Sequence, residues 1–117
     1  MDRTFIDRRA SDSQRRKARD VAQSLLDGRI TALQAARALV SLAHTDAVPD
    51  VSDRRLIIAV ESETDDLPVG EVRNLWAPSA LQEKDIEIAR AEGLYRDDLL
   101  HACERIVIAN CPSDKLQ

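Results

Sequence analysis

Ser79 and Gln82 form an S-x-x-Q capping box, and helical spacing then persists through Ile86, Ile88, Ala89, Tyr95, Leu99, Leu100, Cys103, Ile106 and Val107. Continuous to Ala109, such a helix runs about 45 Å at ~1.5 Å per residue, longer than a compact domain of this size is wide. The rest of the chain must pack along this rod, break it, or leave part of it for another molecule. Gly93 is the place for a kink, at about 1 kcal/mol relative to Ala. Otherwise the overhanging half packs on a second subunit, and we expect a homodimer that buries the face from Tyr95 to Val107.

Two shorter helices precede it. Ala18, Val21, Ala22, Leu25 and Leu26 form the i, i+3, i+4, i+7, i+8 stripe of an amphipathic helix. Ser11 or Asp12 can cap its start, and Gly28 stands where a left-handed residue would stop it. Thr31 with Gln34 opens a second helix, whose apolar positions Leu33, Ala36, Leu39, Val40 and Ala43 carry it to His44. The short link predicts an antiparallel αα-hairpin in which alanines allow close approach. Thr45–Val51, with Pro49, reads as a loop.

The run Leu56-Ile57-Ile58-Ala59-Val60 suits a buried strand or a helix. A helix over Ser52–Thr64 is preferred: Ser52 or Asp53 offers a cap, no strand-like segment lies nearby to pair with it, and Leu56, Ile57, Val60 and Thr64 share one helical face. Acids at its C-terminal end oppose the helix dipole, so another group should neutralise them. Residues 67–78 then form an ordered crossover that Trp76 can pin to the bundle. The expected fold is all-α: one domain over residues 1–117, a bundle of about four principal helices with an N-terminal αα-hairpin and a long last helix. Residues 1–10 read as a fraying arm and 112–117 as a disordered tail.

Composition narrows the function. A chain of 117 residues can bury a core without metal or disulfide staples. Cys103 and Cys111 have neither CxxC spacing nor histidine companions, so zinc is not indicated, and Cys103 reads as a buried thiol. The apolar run at 56–60 is far short of the roughly 20 residues that span a bilayer, and no signal-peptide pattern opens the chain, so a cytoplasmic location is expected. Residues 1–45 carry nine Lys/Arg against five Asp/Glu, whereas residues 46–66 carry two against seven. The arginine arm at Arg8-Arg9 and Arg15-Arg16-Lys17-Arg19 could contact phosphates. Interrupting acids, a pI near 5.1 and the lack of interleaved aromatics argue instead for a solvated helix face.

One polar constellation stands out: Glu61, Glu63, Asp65 and Asp66, followed by Arg73 and Trp76. On a helix Glu61 and Asp65 would repel at i, i+4 unless a cation intervenes. A divalent ion is one answer, although the EF-hand pattern is missing. An Arg73 fork on Glu63 or Asp65, locking the crossover to the third helix, is the preferred one, and a partner-binding surface is the other reading of the cluster. His44 suits a helix C-terminus, and His101 has Asp97 and Glu104 within one turn; neither has a nucleophile at a diagnostic spacing. No catalytic residue, metal site or cofactor is indicated, since no G-x-S-x-G, Walker or Rossmann pattern occurs.

Ser62-Glu63-Thr64-Asp65, Leu67-Pro68-Val69-Gly70-Glu71-Val72-Arg73, Trp76, Ala80-Leu81, Lys84-Asp85, Glu87 and Ile88 together resemble a signature of small uncharacterised bacterial helical proteins, over residues 22–108. The resemblance implies that the acidic turn, the crossover and the start of the last helix form a unit; it implies no activity. The expected function is a non-enzymatic interaction protein with a protein partner rather than a small molecule. In charge and size it is similar to immunity proteins that neutralise basic bacterial toxins. The alternatives are a metal-dependent enzyme or ligand binder using Glu61, Glu63 and Asp65, and a small DNA-associated regulator using the arginine arm.

Overall fold

The computed structural model describes residues 9–112, so the outermost parts of the expected N-terminal arm and C-terminal tail lie outside the described residues. Four α-helices account for most of it: α1 (Asp12–Leu26), α2 (Ala32–Leu39), α3 (Val51–Glu63) and α4 (Pro78–Ala109). Short 3₁₀ turns occupy Val40–Leu42 and Gly70–Leu75, and no strand occurs among the described residues. The all-α expectation holds.

Local chemistry sets most of the helix ends. Ser11 caps α1 and Thr31 caps α2, each in a reciprocal capping box with the glutamine three residues on. Gly28 stops α1 at φ +77°, a left-handed conformation that costs glycine least. Two ends differ from expectation. Asp50, rather than Ser52 or Asp53, caps α3 by accepting the Asp53 N–H. The α-helical part of α2 ends at Leu39 instead of His44, because the chain tightens into a 3₁₀ turn whose exit Thr45 holds by donating to the Leu42 carbonyl.

α2 lies at the centre. Ala32, Leu33, Ala35, Ala36 and Leu39, five of its eight residues, are inaccessible to solvent, and the alanines let neighbouring helices approach closely. α1 runs antiparallel to α4, because Arg15 near the start of α1 bonds Asn110 just beyond the end of α4. The same arginine pairs with Asp46 at 2.8 Å, and the Asp46 carboxylate also accepts the Ala10 N–H at 2.8 Å. That N–H, with help from Arg15 and against desolvation, holds the Asp46 carboxyl below its ordinary range. So Ala10, the last residue of the expected fraying arm, is held to Asp46, and Arg15 of the arginine arm is structural. The Asn110 side-chain amide donates to the Ala47 and Ile106 carbonyls, satisfying a helix end that has no basic residue of its own.

α3 also runs antiparallel to α4. Near its start the buried Asp53 is held by both ends of the Arg105 fork, and near its finish Glu63 accepts the Tyr95 hydroxyl. α4 itself is unbroken through Gly93. Its 32 residues span about 48 Å, against a molecular long axis of 52 Å. A Cβ at Gly93 would meet nothing within 4 Å. Gly93→Ala is therefore expected to stabilise the fold by up to about 1 kcal/mol, read as a rise in melting temperature.

The overhang is not where sequence placed it. Leu99, Ala102, Cys103 and Ile106 lie in the chain's own core, so the Tyr95–Val107 face expected to join two subunits is largely consumed within one. Burial, with the nearby Asp53 charge, also pushes the Cys103 thiol up to about 12. A thiol reagent at neutral pH is expected to modify Cys111 alone in the native protein, and both cysteines after denaturation.

Candidate functional site

The acidic turn is built where α3 stops. Thr64 leaves helical geometry at φ −119°, and its hydroxyl donates back to the Val60 carbonyl at 2.7 Å. Because α3 ends at Glu63, Glu61 and Asp65 do not stack one turn apart on a helix, the arrangement on which the expected repulsion was based. Glu61 is half-buried, while Glu63, Asp65 and Asp66 are exposed. The end of α3 is neutralised from α2: the Arg37 guanidinium donates to the carbonyls of Thr64 and Leu67, the latter at 2.8 Å.

Arg73 does something else. It forks onto Asp85 in the first half of α4, at 2.7 and 3.2 Å, and reaches the Pro68 carbonyl at 3.2 Å. The expected bridge from Arg73 to Glu63 or Asp65 is not formed; the crossover is locked to α4 rather than to α3. Each partner raises the preference of the other for its charged form, the hydrogen bonds being the main cause. Lys84 lies 4.0 Å from Asp66 and 3.5 Å from Glu87, a second tie between the turn and α4. Trp76 is half-buried, and its backbone N–H closes the 3₁₀ turn on the Arg73 carbonyl at 3.1 Å. Gly70 opens that turn at φ +82°. The expected Ser79–Gln82 box is replaced by Pro78 in the first turn after an Ala77 cap, since the fixed φ of proline suits that position and its missing N–H costs nothing there.

Where the turn meets α4, Glu63, Asp66, Leu67, Glu87, Leu94 and Tyr95 line much of a shallow groove of about 320 Å³. The Glu63 carboxylate takes the Tyr95 hydroxyl, which holds the phenol above its ordinary range. One turn back along α4, Glu92 accepts the Ala32 and Leu33 N–H groups, placing a carboxylate on the α2 N-terminus. Arg37 and Glu92 were not singled out from sequence, and Tyr95 was read only as part of the last helix's stripe and the edge of the expected dimer face. Arg37 did leave a signal, as the one charged residue of the eight in α2.

No group of three or more His, Cys, Asp or Glu side chains among the described residues is placed to hold a metal ion. No helix among them is long and apolar enough to cross a membrane. No family model matches the chain, and no curated protein or solved structure is significantly similar to it.

These contacts set the two arginines apart. Arg73 and Asp85 are substantially exposed, and an exposed pair contributes little. Arg73→Ala should leave the melting temperature nearly unchanged. Arg37→Ala strips two carbonyls of a charged donor and is expected to cost ~1–2 kcal/mol in thermal or urea melts. A larger loss from Arg73→Ala than from Arg37→Ala would contradict this division of labour.

Proposed function

We propose that the protein is a non-enzymatic interaction protein that docks a protein partner on the lobe formed by the crossover and the first half of α4. The carrying observation is that this lobe has no core of its own. Between residues 65 and 91 only Leu67 and Pro68 are buried, and both lie at its base. Meanwhile Leu75 is 85% exposed and Ile86 63%, with Leu94 at 67% just beyond. Scattered apolar exposure is ordinary on a surface, but a projecting segment of this size with no fully buried residue beyond its base is stabilised when something covers it. The finer reading is an immunity-type inhibitor acting in the cytoplasm on a basic toxin. Its support is the charge of the segment: residues 65–91 hold six carboxylates against three bases, a net of −3 out of the −4 that the whole chain carries.

The test is a photo-crosslinking residue placed at Leu75 or Ile86, with Lys17 on α1 as control, in cells of the source organism. One discrete partner joined from the lobe and not from Lys17 is expected, and the purified partner's activity should fall on stoichiometric addition of this protein. Equal labelling from both positions argues against the reading. So does a melting shift induced by Mg²⁺ or Mn²⁺ and abolished by Glu63→Gln, which would favour the metal-dependent alternative.

A further inference from the structure

A second groove lies at the other end of α4, and it is basic. Asp12, Arg15, Arg16 and Arg19 line it from α1, at the i, i+3, i+4, i+7 spacing of one helical face, while Asn110 and Cys111 line it from just past the end of α4. About 470 Å³ lies between the two sides. The arginines at 15, 16 and 19 repel one another at this spacing until an anion lies among them, and Asp12 is the one acid in the lining.

The fold uses the charge of Arg15 alone. Asp46 holds it at 2.8 Å and the Asn110 side-chain oxygen at 3.3 Å, while the amide of the buried Asn110 is fixed in turn by the Ala47 and Ile106 carbonyls. The floor of the groove is therefore held in place by the protein itself. Those two bonds occupy two of the five N–H donors of Arg15. Arg16 is exposed and has no hydrogen-bond or ion-pair partner among the described residues. Arg19 reaches only the largely exposed Asp20, at 3.7 Å, too far for a hydrogen bond.

We infer that this groove binds the phosphate group of a small phosphorylated molecule, the forks of Arg16 and Arg19 closing on its oxygens beside the fixed Arg15. A guanidinium matches phosphate oxygens two at a time, and charge-assisted bonds of this kind are the strong ones. The volume falls in the range of small-molecule sites, which leaves room for the organic part of the ligand. A nucleic-acid backbone fits less well, because no aromatic side chain lines the groove to stack a base, and the two arginines without tight partners make a short patch rather than a track. The site is separate from the lobe and does not rest on the interaction reading.

The experiment titrates the full chain with inorganic phosphate and with a sugar phosphate, at about 0.15 M chloride so that long-range attraction is screened. Calorimetry gives the affinity and amide chemical shifts the place. Saturable binding is expected, with shifts confined to residues 9–19 and 110–112, and the sugar phosphate should bind at least as tightly as the free ion. Arg16→Gln combined with Arg19→Gln should weaken binding roughly tenfold or more, yet leave the melting temperature close to wild type, since neither head makes a tight bond in the fold. Lys17→Gln removes a charge next to Arg16 but outside the groove, and should change binding by less than about twofold. Cys111 gives an independent readout: saturating phosphate should slow its alkylation by iodoacetamide in the wild type and not in the double variant.

Equal losses from Lys17→Gln and Arg16→Gln, or shifts spread over every basic surface, would overturn the inference in favour of unspecific charge attraction. An alkylation rate that phosphate leaves unchanged would place the ion outside the groove and overturn it as well. Tighter binding of the free ion than of the sugar phosphate would reject a phosphorylated molecule as the ligand. Duplex DNA bound more tightly than either, and weakened as much by Lys17→Gln as by Arg16→Gln, would replace the site with a nucleic-acid interface. If neither phosphate probe saturates, the arginines are a solvated face and the inference fails.

Discussion

Leu99→Ala is expected to destabilise the protein by about 2–5 kcal/mol, while Ile86→Ala and Leu94→Ala on the same helix leave it close to wild type. Leu99 is inaccessible to solvent and lies in one cluster with Leu25, Leu33, Cys103 and Ile106, which joins α1, α2 and α4. Truncation there removes apolar burial and leaves a cavity that close-packed neighbours fill only in part. Ile86 and Leu94 have little to lose, because most of each side chain already meets water. For a domain of this length the Leu99 loss corresponds to a melting temperature lower by roughly 8–20 °C. Urea melts of the three variants check the claim. Comparable losses at Leu99 and Ile86 would mean that the first half of α4 is packed as tightly as the second, and the lobe would no longer be a candidate docking element. The comparison therefore bears on function as well as on stability.

What was legible in the sequence follows the range of the forces involved. The α1 stripe, the Thr31–Gln34 capping box and the left-handed Gly28 are decided within a few residues, and they appear in the structure where the spacing puts them, whereas the Ser79–Gln82 box gives way to Pro78 and the Gln14 partner of Ser11 was not read from the sequence. The acidic turn was legible as a place but not as a set of contacts. Whether Glu61 and Asp65 stack depends on where α3 ends, and it ends at Glu63, where Thr64 leaves helical geometry while its hydroxyl bonds back to Val60. Once the helix stops there, the choice of Asp85 by Arg73 depends on how α4 enters, which no local pattern records.

Arg37 reaches its carbonyls across 27 and 30 residues, and only its isolation as a charge in an alanine-rich helix hinted at a buried role. Length alone showed that α4 outruns the core. Which half overhangs is set by where α1, α2 and α3 stop against it, and that is a matter of tertiary packing rather than of periodicity.

The second large effect lies at the other end of α3. Asp53 retains only 4% side-chain exposure, and both its oxygens are taken by Arg105 at 2.7 and 2.8 Å. Arg105 itself is 51% exposed, so the pair is asymmetric: a buried anion held by a cation at the surface. Desolvating a carboxylate is expensive, and removing its partner leaves that cost uncompensated, typically about 3–5 kcal/mol for a fully buried pair. Water can reach the space vacated by a half-exposed arginine and screens part of this, so Arg105→Ala is expected to cost ~2–3 kcal/mol. The penalty belongs to the stranded charge rather than to the lost bond. Adding Asp53→Asn to Arg105→Ala should therefore recover part of the stability, and the double variant should be less destabilised than the two single changes summed. Strict additivity in denaturant melts would mean that Asp53 is solvated in the absence of Arg105. α3 would then be held to α4 chiefly by its apolar face and the Glu63–Tyr95 contact.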